Sequence, residues 1–79
     1  MLNDNESVAL FRQYGKRLYN TALRITLSPD ESDEIMQETL IRFITGPMTG
    51  VSDASKVWAW LRTTCVRLSI DWLRCRKRF

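Results

Sequence analysis

Apolar residues recur at steps of three and four positions along the first third of the chain. The members of this series are Val8, Phe11, Leu18, Ala22 and Ile25. This spacing predicts one apolar face of a long helix that runs from about Asn5 to Leu27. Gly15 occupies the position that the series skips. Because a glycine lowers helix stability by about 1 kcal/mol relative to alanine, we expect Gly15 to mark a close crossing of two helices.

A second helix is predicted to begin directly after Ser28. The Ser28 side chain can cap the helix, Pro29 suits its first position, and Glu31 stands where a capping box requires it. Acidic residues near this start complement the helix dipole; they are Asp30, Glu31, Asp33 and Glu34. The residues expected on the buried side of the helix are Ile35, Met36, Leu40, Phe43 and Ile44.

Glycine and proline between Thr45 and Ser52 predict a loop, after which Ser52 or Asp53 is the expected cap of a third helix that runs to about Lys77. At about 100° per residue, this helix has two neighbouring apolar stripes. The first comprises Val57, Leu61, Cys65, Leu68 and Trp72, and the second comprises Val66, Ile70 and Leu73. The remaining strip carries Trp60, Arg67, Arg74 and Arg78, with Asp71 between them.

These segments together predict an all-α fold, a compact bundle of three to four helices with a long basic C-terminal helix. The third helix is expected to pack against both others and to present its basic ridge to solvent. A chain of 79 residues has room for one small domain, which needs most of its apolar residues for its own core.

The charge of the chain is distributed unevenly. Residues 1–53 hold five basic and eight acidic residues, a balance of −3, whereas residues 54–79 hold seven basic residues and one acidic residue, a balance of +6. This polarity indicates two partners of different charge, with a polyanion at the C-terminal end.

Several classes of protein are disfavoured by the residues that the chain carries. It has no histidine, the usual general base near neutral pH, and no glycine-rich phosphate loop, so we expect neither an enzyme nor a cofactor. Cys65 and Cys75 without histidine make a poor zinc site. On one helix they would be separated by roughly 15 Å, too far for a disulfide, so a packed thiol at Cys65 and a free one at Cys75 are predicted.

The chain is expected to be a cytoplasmic protein. No apolar run approaches the roughly 20 residues that span a bilayer, and the acidic N-terminus lacks the layout of a signal peptide.

Tryptophans alternate with basic residues in the C-terminal part of the chain. Trp72 is expected in the core, while Trp58 and Trp60 adjoin the loop and at most one of them can face the core fully. Basic side chains neutralise phosphates, and exposed indole rings stack on single-stranded bases with about 1–3 kcal/mol per base. The pattern therefore favours a small helical nucleic-acid-binding protein.

Four segments, taken in order, resemble region 2 of the extracytoplasmic-function sigma factors of the sigma-70 family. They are LYNTALRI at 18–25, DEIMQETL at 33–40, WLRT at 60–63 and SIDWLR at 69–74. The resemblance extends from about Val8 to Arg78 and preserves the spacing between the segments. It implies a transcription-initiation protein that binds the RNA polymerase core.

In that family the second helix docks on the clamp helices, a coiled coil in the β′ subunit of RNA polymerase. The resemblance assigns this contact to Glu34, Gln37, Glu38 and Ile41. Their spacing of three and four residues allows one helix face to present all four.

The resemblance assigns the loop and the third helix to the promoter minus-ten element. There they would hold bases flipped from the non-template strand and so support strand opening. The loop from Thr45 to Ser55 would shape the base pocket, with Trp58, Trp60 and Arg62 beside it. The residues that would follow the phosphates are Arg67, Arg74, Arg76, Lys77 and Arg78.

The chain departs from the family pattern in three respects. The family usually has aspartate where Glu34 stands, so the charge is kept on a longer side chain. It usually has asparagine where Arg67 stands, and the arginine adds a phosphate contact. The chain stops at Phe79, so the family's second helical domain, which reads the minus-thirty-five element and often contacts an anti-sigma factor, is expected to be absent. An anti-sigma factor is a further partner that the resemblance implies.

Three other functions are consistent with parts of the pattern. One is a helix-turn-helix module for duplex DNA, although the N-terminal half of the third helix is largely apolar. Another is an anti-sigma-like protein that occupies the polymerase clamp without reading DNA. A third is attachment of the basic end to a membrane surface, which is disfavoured because the opposite helix face is needed for the core.

Overall fold

Three α-helices make up the domain. The computed structural model describes residues 4–76, with helix α1 at Asp4–Thr26, α2 at Pro29–Thr45 and α3 at Ala54–Arg76. A short 3₁₀ turn at Pro47–Gly50 lies between α2 and α3. No strand occurs among these residues, so the predicted all-α bundle with a long C-terminal helix is confirmed.

The core lies where the three helices meet. Each helix packs against both others, as predicted for the third. The buried apolar residues are Tyr14, Leu18 and Ala22 from α1, Ile35, Met36, Leu40 and Phe43 from α2, and Val57, Leu61 and Cys65 from α3. Gly15 is buried at the seam of α1 and α2, where a Cβ atom would lie 3.8 Å from Met36 Sδ. Gly15 thus lies at a contact between two helices, but this contact leaves room for a methyl group, so it is not a crossing close enough to require a glycine.

The N-terminal half of α1 differs from the predicted apolar face. Val8 and Phe11 were expected to be buried, but each keeps 49% of its surface exposed, and Tyr14 takes a core position instead. Phe11 lies beside Leu40 and Ile44 at the end of α2. Because α2 ends one residue after Ile44, at Thr45, the Phe11 side chain remains partly uncovered.

The second apolar stripe predicted on α3 is only partly covered. Val66 and Leu73 are half-buried, and Ile70 is exposed. Ser69 is fully buried instead and donates its hydroxyl to the Cys65 carbonyl oxygen at 2.8 Å. This bond to the preceding turn satisfies the hydroxyl and makes a serine tolerable in the core.

The α1–α2 turn contains half of the predicted capping box. Ser28 Oγ accepts a bond from the Glu31 N–H at 3.3 Å, as expected for the cap of α2. The Ser28 N–H donates to Thr26 Oγ1 at 3.2 Å, so a threonine at the end of α1 takes the place of the Glu31 carboxylate. Leu27, with φ of 57°, makes the reversal between the helices.

Side chains in the connection to α3 satisfy both neighbouring helix ends. The Thr49 hydroxyl lies 2.6 Å from the Gly46 carbonyl oxygen and within 3.2 Å of two carbonyl oxygens of α2. Asp53 caps α3 by accepting bonds from the Ser55 and Lys56 N–H groups at 2.9 and 3.3 Å. Of the two caps predicted, Asp53 is the one that forms.

The two cysteines are placed as the sequence predicts. Cys65 is buried, Cys75 is exposed, and both are free thiols.

Among residues 4–76, no helix is both long and apolar enough to cross a lipid bilayer.

Candidate protein and nucleic-acid interfaces

The outer face of α2 brings together the four residues assigned to polymerase docking. Glu34, Gln37, Glu38 and Ile41 are all exposed and follow one another by three or four positions on the same helix. Ile41 is 53% exposed, although it is a large apolar side chain. The face therefore combines carboxylates, an amide and an aliphatic side chain. Such a surface suits a partner that is basic and partly apolar.

Two side-chain contacts within α2 involve residues of this face and leave it exposed. Gln37 Nε2 donates to Asp33 Oδ2 at 3.0 Å, and Arg42 Nε lies 3.6 Å from Glu38 Oε1. Both pairs are exposed and four residues apart, so each contributes only a few tenths of a kcal/mol. A partner can replace them at little cost.

Beside this face, an apolar groove runs between α1 and α2. Its volume is about 230 Å³, and its lining consists of Ser7, Phe11, Gln37, Leu40, Ile41 and Ile44. Gln37 and Ile41 therefore belong both to the predicted docking face and to the groove. Phe11 also lines this groove, although the periodic pattern of the sequence marked it only as core.

Trp58 at the start of α3 is packed against α1. Its ring stacks on Tyr14 with 6.0 Å between centroids and 11° between planes. The guanidinium carbon of Arg17 lies 3.8 Å from the centroid of the Trp58 ring. Arg17 is thus a cation beside Trp58, which was predicted to bind DNA. The sequence did not indicate this contact, because Arg17 and Trp58 are far apart along the chain.

Trp60 is packed against α2 rather than standing free at the start of the basic ridge. Its ring meets Phe43 edge to face, with centroids 5.7 Å apart and planes at 65°. Trp58 and Trp60 are both half-buried, so neither faces the core fully. Trp72 also packs against the core, as expected, and Arg76 lies over its ring at 5.0 Å.

A basic ridge runs along the outer side of α3. Lys56, Arg67 and Arg74 are exposed and fall within about 40° of one another around the helix axis. In the described part of the chain no ion pair joins Arg67 to Asp71. The Arg67 guanidinium is thus left to solvent or to a partner.

The other basic residues assigned to DNA have different positions. Arg62 is exposed, one turn after Trp58 and away from the ridge. Arg76, at the end of α3, contacts Trp72. Lys77 and Arg78 lie outside the described residues.

A second groove, of about 420 Å³, lies beside the loop that was predicted to shape a base pocket. It is bounded by the N-terminal half of α1, the end of the 3₁₀ turn and the start of α3. The residues that line it are Glu6, Ala9, Leu10, Gln13, Tyr14, Phe43, Thr49, Gly50, Val51, Ser52, Ala54 and Val57. The lining is thus mixed: polar side chains come from α1 and the loop, and buried apolar side chains come from all three helices.

The order and composition of the helices agree with a known family. The model of the sigma-70 region 2 family matches residues 10–79, which is most of the chain. The chain belongs to the sigma-70 region 2 family. No curated protein and no solved structure matches it significantly.

Membership of the sigma-70 region 2 family defines the broad role of the domain. The family acts in transcription initiation, with the RNA polymerase core and promoter DNA as partners, and it is not a class of enzymes. The acidic α2 face and the basic α3 ridge are two exposed surfaces of opposite charge on such a domain.

Proposed function

We propose that this sigma-70 region 2 domain is of the extracytoplasmic-function type and acts in the cytoplasm. In this proposal, α2 docks on the β′ clamp helices, while the loop and α3 bind the non-template strand of the minus-ten element. The observation that carries the proposal is the separation of an acidic, partly apolar face on α2 from a basic ridge on α3. One domain can then hold protein and DNA at the same time.

The α2 face supports docking on a helical partner. Glu34, Gln37, Glu38 and Ile41 are exposed together, and their existing contacts are weak enough to be exchanged. A charged rim around an aliphatic residue is the usual arrangement at a protein interface. In such interfaces a few central residues provide most of the binding free energy.

The α3 ridge and the loop groove support binding of single-stranded DNA. Arg67 and Arg74 are exposed cations on one side of α3, suited to phosphates. The groove of about 420 Å³ beside the loop falls in the size range of small-molecule sites, about 300–1,000 Å³, so a flipped base is a suitable occupant.

The packing of the tryptophans limits what the isolated domain can do. Trp58 and Trp60 are held by Tyr14 and Phe43, so stacking on DNA bases would use only their exposed parts. Flipping a base costs a few kcal/mol. We therefore expect strand opening to require the polymerase as well as this domain.

The decisive experiment is a titration of the purified domain against an isolated β′ clamp-helix fragment. Wild type should bind with a Kd in the micromolar range, and Glu34→Ala and Gln37→Ala should each weaken binding at least tenfold, or about 1.4 kcal/mol. Asp71→Ala removes an exposed carboxylate from α3 instead and should leave the Kd unchanged. If wild type does not bind a fragment that is shown to bind another sigma factor, the docking proposal is wrong.

The same preparation distinguishes the two main alternatives. A helix-turn-helix module would prefer duplex promoter DNA to the single strand. An anti-sigma-like protein would bind the clamp fragment but show no affinity for a minus-ten single strand, whether or not Arg62 is replaced. The sigma proposal requires clamp binding and a preference for the single strand in the same protein.

A further inference from the structure

Arginine side chains lie over tryptophan rings on the side of α3 that faces α1. The guanidinium carbon of Arg17, on α1, is 3.8 Å from the centroid of the Trp58 ring, and that of Arg76 is 5.0 Å from the centroid of the Trp72 ring. Trp58 also stacks on Tyr14 of α1. Because Trp58 and Trp72 fall within about 40° of each other around the helix axis, both pairs lie on the same side of α3.

Two further arginines continue this surface along the α1–α3 seam. Arg24 follows Arg17 by seven positions on α1, and Arg62 follows Trp58 by four positions on α3. Each pair falls within about 20–40° around its helix axis. Arg17, Arg24, Arg62 and Arg76 are all exposed, and we call these four residues the seam arginines.

The seam arginines are not neutralised by acidic residues of the helices that carry them. In the described part of the chain, no ion pair involves any of the four. The acidic residues of α1 are Asp4 and Glu6, both in its first turn. Asp71 of α3 lies about 140–180° around the axis from Arg62 and Arg76. The seam therefore carries a concentration of positive charge that suits a polyanion.

The tryptophan rings hold two of the guanidinium groups with their donors available. An arginine that stacks on an aromatic ring contacts it with the guanidinium face, while its N–H donors point outward in the guanidinium plane. Arg17, at 3.8 Å from the Trp58 centroid, is close enough for this arrangement. Such donors pair with phosphate oxygens, and a side chain that is already ordered loses less conformational entropy when it binds.

The arrangement favours double-stranded DNA over a single strand as the occupant of the seam. Binding of single-stranded bases uses open aromatic faces, but Arg17 already lies over Trp58 and Arg76 over Trp72. Duplex DNA instead presents one phosphate charge per about 1.7 Å of its axis, so cations on two neighbouring helices can contact several phosphates at once. Contacts of this kind position the protein without reading bases.

The seam arginines are separated from the basic ridge by the body of α3. Arg62 and Arg76 lie about 120–180° around the axis from the ridge residues Lys56, Arg67 and Arg74. An α-helix with its side chains is about 10–12 Å across. The ridge and the seam can therefore hold different segments of DNA.

We propose that the α1–α3 seam is a second DNA-binding surface, on which the seam arginines bind the phosphates of double-stranded DNA without reading its sequence. Arg17 and Arg24 add α1 to the DNA-binding part of the domain, which the sequence located in the loop and α3. Promoter DNA is a partner of the family, and the seam requires neither clamp docking nor a single strand on the ridge. Its binding of duplex DNA is weaker than binding of the minus-ten single strand, because it involves phosphates alone.

The test titrates the full chain with a short duplex that lacks a minus-ten sequence, at several salt concentrations. Wild type should bind with a Kd of about 10⁻⁴–10⁻⁶ M at physiological salt. Arg17→Ala and Arg24→Ala should each reduce the slope of log Kd against log salt by about one, and the double variant by about two. Arg12→Ala removes an exposed cation about 140° around α1 from Arg17 and should leave the slope nearly unchanged.

Two further measurements keep the test informative. Thermal unfolding shows whether each variant is folded, and Arg24→Ala alone still tests the seam if Arg17→Ala disturbs the packing of Trp58. Titration with a minus-ten single strand separates the two surfaces. Arg67→Ala should weaken single-strand binding, whereas the double variant at Arg17 and Arg24 should bind the single strand within about twofold of wild type.

Three results would overturn the proposal. If the double variant keeps the wild-type slope with the duplex, the seam does not bind DNA, and the proposed function is unaffected. If the double variant loses as much affinity for the single strand as for the duplex, the seam belongs to the path of the single strand. If polyglutamate binds wild type as tightly as the duplex and depends on the same arginines, the partner is an acidic protein.

Failure of the proposed function gives a different result. Wild type would then bind the duplex through the seam arginines but would bind neither the clamp fragment nor the single strand. That outcome would leave the second surface in place.

Discussion

Small polar side chains in the core donate hydrogen bonds to carbonyl oxygens. The hydroxyls of Thr39 and Ser69 donate to the carbonyls of the preceding turn at 2.7 and 2.8 Å. Cys65 Sγ donates to the Leu18 carbonyl oxygen of α1 at 3.4 Å. Because these groups are satisfied, they avoid the cost of about 1–3 kcal/mol that an unpaired buried polar group carries.

The pH dependence of stability is expected to contain a contribution from Cys65. Burial raises the pKa of this thiol above its ordinary value, and the hydrogen bonds around it only partly oppose the shift. The unfolded chain therefore loses the proton first, so the free energy of unfolding should fall as the pH rises past the ordinary thiol pKa of about 8.5. Urea denaturation at pH 7 and pH 9.5 measures this fall.

Cysteine variants separate this contribution from other titrating groups. Cys65→Ala should show a smaller loss of stability between the two pH values than wild type. Cys75→Ala should behave like wild type, because Cys75 is exposed. Equal losses in all three proteins would contradict a raised pKa at Cys65.

Helix α1 organises the domain, since α2 and α3 pack along it and also touch each other. Two glycines differ in the space that surrounds them. At Gly15, a Cβ atom would make ordinary contacts at 3.8 Å with Met36 Sδ and the Phe11 ring. At Gly46, a Cβ atom would lie only 2.5 Å from the Arg42 carbonyl oxygen.

Alanine at these glycines should therefore change stability in opposite directions. Gly15→Ala should raise the free energy of unfolding by about 0.5–1 kcal/mol, because it removes the conformational cost of a mid-helix glycine. Gly46→Ala should lower it, because the backbone after α2 must shift to avoid the carbonyl. Denaturant titration of both variants checks the two signs, and destabilisation by Gly15→Ala would show that the crossing has no room for a methyl group.

The sequence predicts helix ends better than it predicts side-chain burial. The start of α2 follows from Ser28, Pro29 and Glu31, whose bonding preferences are local. Phe11 follows the same three- and four-residue period as Leu18, but periodicity does not show where a neighbouring helix ends. The burial of Ser69 was not predicted either, because a polar residue is expected at the surface. Its hydroxyl bonds to a carbonyl oxygen of the preceding turn, and this bond offsets the free-energy cost of burying it.

The candidate sites show the same difference between local and distant information. The common face of Glu34, Gln37, Glu38 and Ile41 was predictable because it depends only on spacing within one helix. Their binding role remains a prediction. The contact of Arg17 with Trp58 was not predictable, because it joins two helices and depends on their packing. The exposure of Phe11 was not predictable either, because it also arises from the packing of the helices.

At the scale of the whole molecule, acidic residues predominate on α2 and basic residues predominate on α3. The domain measures 40 × 20 × 19 Å, so its opposite sides lie farther apart than a surface potential reaches. Surface potentials act over about 8–10 Å at physiological ionic strength. The α2 carboxylates and the α3 cations can then attract different partners.

Single-strand binding should depend on salt through the α3 ridge. Arg67→Ala should weaken binding of a minus-ten single strand and reduce the slope of log Kd against log salt by about one phosphate contact. Arg12→Ala removes an exposed cation from α1 and should change the slope less. Fluorescence anisotropy at several salt concentrations measures both, and an unchanged slope for Arg67→Ala would exclude it from the phosphate contacts.

The tryptophans of α3 are intrinsic fluorescent probes of the contacts between helices. Trp58 meets α1 through Tyr14 and Arg17, Trp60 meets α2 through Phe43, and Trp72 lies under Arg76 of its own helix. A variant that keeps only Trp58 or only Trp60 would therefore emit from one chosen seam. Emission from Trp58 would follow the separation of α1 from α3, and emission from Trp60 would follow that of α2 from α3, without any attached dye.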